Sequence, residues 1–192
     1  MNNLKENKPK IFLISGPSGV GKDSVIEEIR KLYKNFHFVI TAVTRDKRSD
    51  EKDGVNHFFI SNEKFKSMIE NDEFIEWSKV YENFYGVPKS QIEIPINQGN
   101  SVILRVDVQG AQKIKQMIPD LIMIFIKPES LDFIDKNIRN RGENSEDEIK
   151  RRLDTAEKEL SLSHHFDYII TNPEGNIKYV IESVKDIINK NL

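Results

Sequence analysis

Gly16-Pro17-Ser18-Gly19-Val20-Gly21-Lys22 carries the most explicit chemistry in the chain. It directly follows the apolar run Ile11-Phe12-Leu13-Ile14 and Ser15. It opens a stretch in which Val25, Ile26, Ile29 and Leu32 recur at helical spacing. Glycines at these positions let the backbone curl, so that successive N–H groups point inward at phosphate oxygens. The N-terminus of the helix that follows adds a favourable potential for an anion. Lys22 reaches the outer phosphates, where charge develops as a phosphoryl group moves. A glycine-rich turn without a ligand would share the composition but not the strand–loop–helix context. Ser or Thr usually follows the lysine and binds Mg²⁺ through its hydroxyl. Here the residue is Asp23, with Ser24 next. A carboxylate is a good hard ligand, so Asp23 either serves Mg²⁺, directly or through water, or stabilises the helix start by about 0.3–1 kcal/mol. Ser24 is an alternative ligand.

Further along, Thr41-Ala42-Val43-Thr44-Arg45-Asp46-Lys47-Arg48 precedes Glu51 and Gly54. Two guanidinium forks suit a phosphate dianion bidentately; alone, a solvated charged loop is the better reading of this stretch. Glu73-Phe74-Ile75-Glu76-Trp77 and Phe84-Tyr85-Gly86 follow. By itself Glu76 is a polar residue on an amphipathic strand. In Leu104-Arg105-Val106-Asp107-Val108-Gln109-Gly110 a strand runs into Asp107 and a glycine-containing turn. That is the carboxyl edge of a sheet, where open α/β folds bind ligands. Arg105 falls on the face of Asp107 by the strand period of two and suits an ion pair as well as catalysis. Near the end, Ile149, Leu153, Ala156 and Leu160 make an apolar stripe at helical spacing. Arg152 borders that stripe, whereas Arg151 falls opposite.

The elements that must position these residues alternate in type. The apolar runs at 11–14, 38–43, 101–108, 121–126 and 168–170 read as strands, the innermost buried on both faces. Helical patterns occupy 21–33, 111–118 and 130–139, a long stretch opened by Ser145-Glu146-Asp147-Glu148, and 177–188. Strands alternating with helices give a parallel α/β sheet covered on both faces. Between Arg45 and Ser90 short strands at 58–60, 74–77 and 79–81 surround a helix at 62–70, an insert beside the main sheet. Residues 1–9 read as a disordered tail.

Composition narrows the class. The chain has 192 residues, 38% hydrophobic and 31% charged, with a formal net charge of −2. That suits one packed domain and excludes a globally cationic nucleic-acid binder. The absence of cysteine rules out disulfides and a thiol nucleophile, and four histidines without metal spacing argue against a zinc enzyme. The apolar run 121–126 is too short to span a bilayer, and residues 1–10 lack a signal-peptide core. The expectation is a cytoplasmic protein with no membrane and no nucleic acid among its partners; monomer and homo-oligomer are equally compatible.

Taken together, these segments resemble guanylate kinases, from Ile11 to the last helix. The resemblance implies an α/β, P-loop NTPase-type parallel sheet with flanking helices, a mixed α/β GMP-binding insert at 44–90 and a short lid at about 137–150. One domain then spans 10–192, with its core at 10–43 and 91–192. ATP would lie on Gly16 through Ser24, with Asn172 near the adenine. Arg45, Arg48 and Tyr85 would hold the GMP phosphate, joined by Thr41 in place of a serine and His57 in place of a tyrosine. Glu76 would accept from guanine N1–H and the exocyclic amine, a pattern adenine does not offer. Asp107 would sit near GMP and the metal. Arg141 and Arg152 would reach in from the lid, joining Lys22 and Arg45 in catalysis.

Two further positions depart from that pattern: Val87 stands where Ser or Thr usually touches the base, and Asn137 where an arginine is frequent in the lid. The implied reaction is ATP plus GMP giving ADP plus GDP, with dGMP as a slower substrate and Mg²⁺ as cofactor. A non-catalytic guanylate-kinase-like binding module is disfavoured by the intact Gly16, Gly19, Gly21 and Lys22.

Overall fold

In a computed structural model, which describes residues 8–49, 51–80, 82–140 and 145–192, the first apolar run forms β1 (Ile11–Ser15). Alternation along β1 sends Phe12 and Ile14 into one hydrophobic cluster and Leu13 into another on the opposite face. Four strands join it in a parallel sheet: β2 (His37–Phe38), β7 (Val102–Arg105), β8 (Ile122–Pro128) and β9 (Tyr168–Asn172), in the order β2-β7-β1-β8-β9. Helices α1 (Lys22–Leu32) and α7 (Ile177–Asn191) cover the first face through Val25, Ile29, Val180 and Val184. Helices α3 (Ser90–Asn97) and α4 (Val108–Met117) cover the second through Ile92, Ala111 and Ile114. The expected α/β architecture is therefore observed, and α3 is an additional helix, formed although it contains Pro95.

The single strand expected over 38–43 is two strands in two sheets. Val39 N–H still donates to Ile103 C=O at 2.9 Å, but Ile40 N–H turns to the Gln91 side chain at 3.1 Å. Thr41–Val43 then becomes β3 of a second sheet, ordered β4-β3-β6-β5, with β4 at His57–Phe59, β5 at Phe74–Val80 and β6 at Asn83–Pro88. The insert's sheet thus begins at Thr41, ahead of the expected boundary at 44. The two strands expected at 74–77 and 79–81 are the one strand β5, with Tyr81 outside the described residues. Its antiparallel partner β6 is new. Gly86 on β6 permits this pairing, since a Cβ there would lie 2.7 Å from the Phe74 ring. Phe74 stacks on Phe65 of α2 (Asn62–Glu70), with centroids 4.4 Å apart, and forms the insert's own small core with Ala42.

Strand β7 ends at Arg105 rather than 108, and α4 starts earlier than 111. Asp107 is the reason: its carboxylate caps the helix by accepting from Gly110 N–H at 2.7 Å. Helices α5 (Leu131–Arg139) and α6 (Glu146–Ser161) pack on each other through Ile134, Ile138, Ile149 and Ala156. Arg139, held by Asp135 on its own helix, ties α5 to α6 through Glu146. The expected apolar stripe on α6 is borne out. Residues 1–7 of the expected tail, and Arg141 in the expected lid, lie outside the described residues. Among the described residues no helix is long and apolar enough to cross a membrane.

Candidate active site

A cavity of about 390 Å³ opens between the carboxyl edge of the parallel sheet and the insert. One wall is the loop after β1. Gly16 there has φ +146° and lies so close to β8 that a Cβ would meet Ile126 C=O at 2.1 Å. The next residues of the loop reach Gly21, which precedes α1 without any side-chain cap. The first N–H groups of α1 are therefore not taken by a side chain at that position, which suits an anion. Lys22 Nζ folds back on the loop, donating to Gly16 C=O at 2.5 Å and Pro17 C=O at 2.7 Å.

Two side-chain amides hold the loop from behind. Asn137 Nδ2 on α5 donates to Gly19 C=O at 2.9 Å, and Asn172 Nδ2 at the end of β9 donates to Val20 C=O at 2.8 Å. In a trans peptide the carbonyl and the following N–H point opposite ways. Drawing the Val20 carbonyl outward turns the following N–H, that of the cavity-lining Gly21, the other way. Val20 N–H meanwhile makes only a long bond of 3.3 Å to Pro17 C=O. Asn172, expected near adenine, is buried beneath the loop, and its Oδ1 has no hydrogen-bond partner among the described residues. The family resemblance marks Asn137 only as standing where an arginine is frequent. Its signal was available: it falls on the inward stripe with Ile134 and Ile138.

Charged groups close the end of this wall. Asp23 pairs with Arg105, so neither a side-chain cap nor an isolated carboxylate describes it. Asp107 and Glu159 also line the cavity. Glu159 went unremarked in the sequence, although it lies seven residues, two helical turns, after Arg152 and so on the same face of α6. Burial pushes its carboxyl up to about 7, opposed by nearby Lys22 and reinforced by Asp107. Ser24 is exposed and does not line the cavity. Arg152 pairs with Glu148 at 2.7 Å, also off the cavity wall.

The opposite wall is the insert. Arg45 forks onto Glu51 with contacts of 2.6 and 2.5 Å, and the guanidinium holds the Glu51 carboxyl down to about 2. Glu51 also accepts from the backbone N–H of exposed Arg48 at 3.0 Å. His57 Nδ1 shares a 2.7 Å hydrogen bond with Thr41 Oγ1; burial, then the Arg45 charge, lowers its pKa. Glu76 is 8% exposed, with Lys113 Nζ at 3.5 Å and its carboxyl group against Gly110. Burial, then Asp107, raises its pKa, and Lys113 opposes the rise. Tyr85 lines the same wall.

The cavity thus gathers Gly16, Ser18, Gly19, Gly21, Lys22, Asp23, Thr41, His57, Glu76, Tyr85 and Asp107. Pro17, the buried Val20, Ser24, Arg45, Arg48, Arg152 and Asn172 stand behind or beside its lining. A glycine-rich loop at a helix N-terminus, a place that suits anions, faces a wall bearing a buried carboxylate and hydroxyl groups, with Arg45 and Arg48 beside it.

Residues 8–191 match the family model described as guanylate kinase. The chain is 42% identical over 188 residues to the guanylate kinase of Prochlorococcus marinus subsp. pastoris, covering 98% of this chain and 97% of that one. It is 39% identical to that of Carboxydothermus hydrogenoformans, covering 88% and 82%. Among solved structures, the crystal structure of guanylate kinase from Anaplasma phagocytophilum is similar, with a TM-score of 0.75 and 30% identity over 96% of this chain and 86% of that one.

Proposed function

The chain belongs to the guanylate kinase family and phosphorylates GMP to GDP with ATP, and from that premise we propose how its residues divide the work. The loop from Gly16 to Asp23 receives the ATP phosphates, with its N–H groups and Lys22 as donors. Lys22 exchanges its two loop carbonyls for phosphate oxygens. Asn137 and Asn172 keep the loop in shape from behind. On the facing wall Arg45, Arg48, His57, Thr41 and Tyr85 bind the GMP phosphate. Glu51 holds the Arg45 fork ready for that dianion. Glu76 takes guanine N1–H and the exocyclic amine.

The observation that carries this reading is the position of Glu76, a buried carboxylate on the wall opposite the phosphate loop of one shared cavity. A buried acceptor pair demands donors, which guanine supplies and adenine does not. A phosphate oxygen of GMP attacks the γ-phosphorus in line. That oxygen is already ionised near neutral pH, so no strong general base is needed, and catalysis is positioning with charge neutralisation. Arg141 and Arg152 enter when the lid closes and water is excluded. dGMP is a slower acceptor.

Mg²⁺ fits the donor set. Asp23 and Asp107 line the phosphate end, yet among the described residues no three acidic or histidine side chains gather to hold an ion alone. A hard cation bound by one or two carboxylates, water and nucleotide phosphates needs no more than that. Asp23 and Asp107 would hold it, and it would supply charge neutralisation on the phosphates; Ser24 is off the wall and takes no part. Reaction in the cytoplasm with ATP and GMP completes the reading. A coupled ADP-release assay across GMP, AMP, CMP and UMP tests it: GMP should be the preferred acceptor, and equal rates with AMP would overturn the role of Glu76.

A further inference from the structure

Strand β5 turns alternate residues toward the cavity. Glu76, Ser78 and Val80 line it, while Trp77 and Lys79 lie on the other side, each against the ring of Phe84. In the hairpin with β6, Glu76 stands opposite Val87 and Ser78 opposite Tyr85. Residues paired across strands share a face, so the wall presents Glu76, Ser78, Tyr85 and Val87 together. Val87 is 1% exposed and has no polar atom in its side chain. Ser78 is its diagonal neighbour. The Ser78 hydroxyl is half-buried and makes no hydrogen bond to any other described residue. A hydroxyl that faces a cavity and has no partner among the described residues is a group for a ligand to satisfy.

We propose that Ser78 is a specificity-determining residue for GMP, its hydroxyl donating to guanine O6, the acceptor adjoining the N1–H that Glu76 takes. The proposal rests on the assignment of Glu76 to the base. Successive same-face residues on a strand are about 7 Å apart. That separation lets two side chains converge on neighbouring atoms of one purine edge, each through a hydrogen bond of about 2.8–3.0 Å. The two readers divide the labour. The carboxylate accepts only and discriminates sharply. The hydroxyl either donates or accepts, so it adds affinity for GMP without excluding adenine by itself. The hydrogen bond that Val87 cannot make is thereby supplied from the adjacent strand.

The test is steady-state kinetics of wild type, Ser78→Ala and Ser78→Thr with GMP, 6-thio-GMP and AMP, with Glu76→Gln alongside. Sulfur at position 6 is a weak acceptor. Ser78→Ala should lower kcat/KM for GMP about fivefold, mostly through KM, while 6-thio-GMP and the KM for ATP stay as in wild type. Ser78→Thr, which keeps the hydroxyl, should remain within about twofold of wild type for GMP. Equal losses for GMP and 6-thio-GMP in Ser78→Ala, or no loss for either, overturn the contact. If Glu76→Gln collapses the GMP-to-AMP preference while Ser78→Ala is silent, only the Ser78 assignment falls. If Glu76→Gln leaves that preference intact, the base-pocket reading falls and takes this one with it.

Discussion

The phosphate-loop wall of the cavity is built from backbone, and the facing wall from side chains. On the first, Gly16 lets β1 turn against β8, and two amides from remote elements, Asn137 and Asn172, pull carbonyls outward. On the second, side chains are paired in advance: Arg45 with Glu51 and Lys113 with Glu76 by charge, His57 with Thr41 by a hydrogen bond. A backbone site reads what every polyphosphate shares, since N–H groups cannot tell one nucleoside from another. A side-chain site can reject a base by leaving a buried carboxylate unpaired. Substitutions on the first wall should therefore act on ATP and turnover, and those on the second on acceptor choice.

The largest expected effect is on the loop's one cationic side chain. Lys22→Ala should fold normally and lower kcat by at least about a hundredfold, a barrier increase of ~2.7 kcal/mol. Circular dichroism checks the fold and a coupled assay the rate; a loss under about tenfold would break the assignment of this wall to phosphates. Next comes the facing wall. Glu76→Gln replaces an acceptor oxygen by an amide that must meet a guanine donor or turn away. The GMP-to-AMP ratio of kcat/KM should fall about a hundredfold through a higher KM for GMP, with the KM for ATP unchanged. Were both KM values to rise together, the division between the walls would be wrong.

The same division explains what could be read from the sequence. The loop is legible because its glycine spacing is itself the geometry, and the neighbouring apolar runs identify the strand before it and the helix after it. The parallel sheet is legible for a similar reason, since doubly buried strands are continuously apolar. Arg45, Arg48 and Glu76 acquire meaning only through family resemblance, because a charged loop and an amphipathic strand look alike whether or not a ligand binds. Strand β6 escapes because Asn83–Pro88 holds a glycine and ends in a proline, and both weaken a strand pattern. Glu159 escapes because its partners, Lys22 and Asp107, are contributed by remote segments. The Asp23–Arg105 pair likewise joins the start of α1 to the end of β7.

Asn137 sharpens the comparison at a smaller scale. Asn137→Ala removes one amide behind the loop and leaves Gly19 C=O without that donor. A neutral hydrogen bond contributes about 0.5–1.5 kcal/mol net, so the KM for ATP should rise about two- to tenfold while the KM for GMP stays put. Titration with a fluorescent ATP analogue, without acceptor, reads the same change as binding. Unchanged ATP affinity would mean that Asn172 and Gly16 shape the loop without help from α5.

Glu159 gives the smallest effect and joins the loop wall to the long helix α6. Burial keeps this carboxyl protonated up to about 7, against an ordinary value near 4.5. A folded state that binds a proton more tightly than the unfolded chain is favoured at low pH. The contribution is fully present below 4.5 and is lost as pH rises toward 7. Glu159→Gln fixes a neutral side chain of the same shape, so it should abolish that loss without mimicking the charged form. Thermal melts of the nucleotide-free protein at pH 5 and pH 8 measure it. Relative to wild type, the variant should gain on the order of 1 kcal/mol at pH 8 and nothing at pH 5. Lys22 opposes the shift, so in a Lys22→Ala background the carboxyl should hold its proton to still higher pH and the gain at pH 8 should grow. Equal gains in the two backgrounds would show that Glu159 and the loop lysine act independently. Equal melting of Glu159→Gln and wild type at both pH values would mean that Glu159 meets enough water to titrate normally.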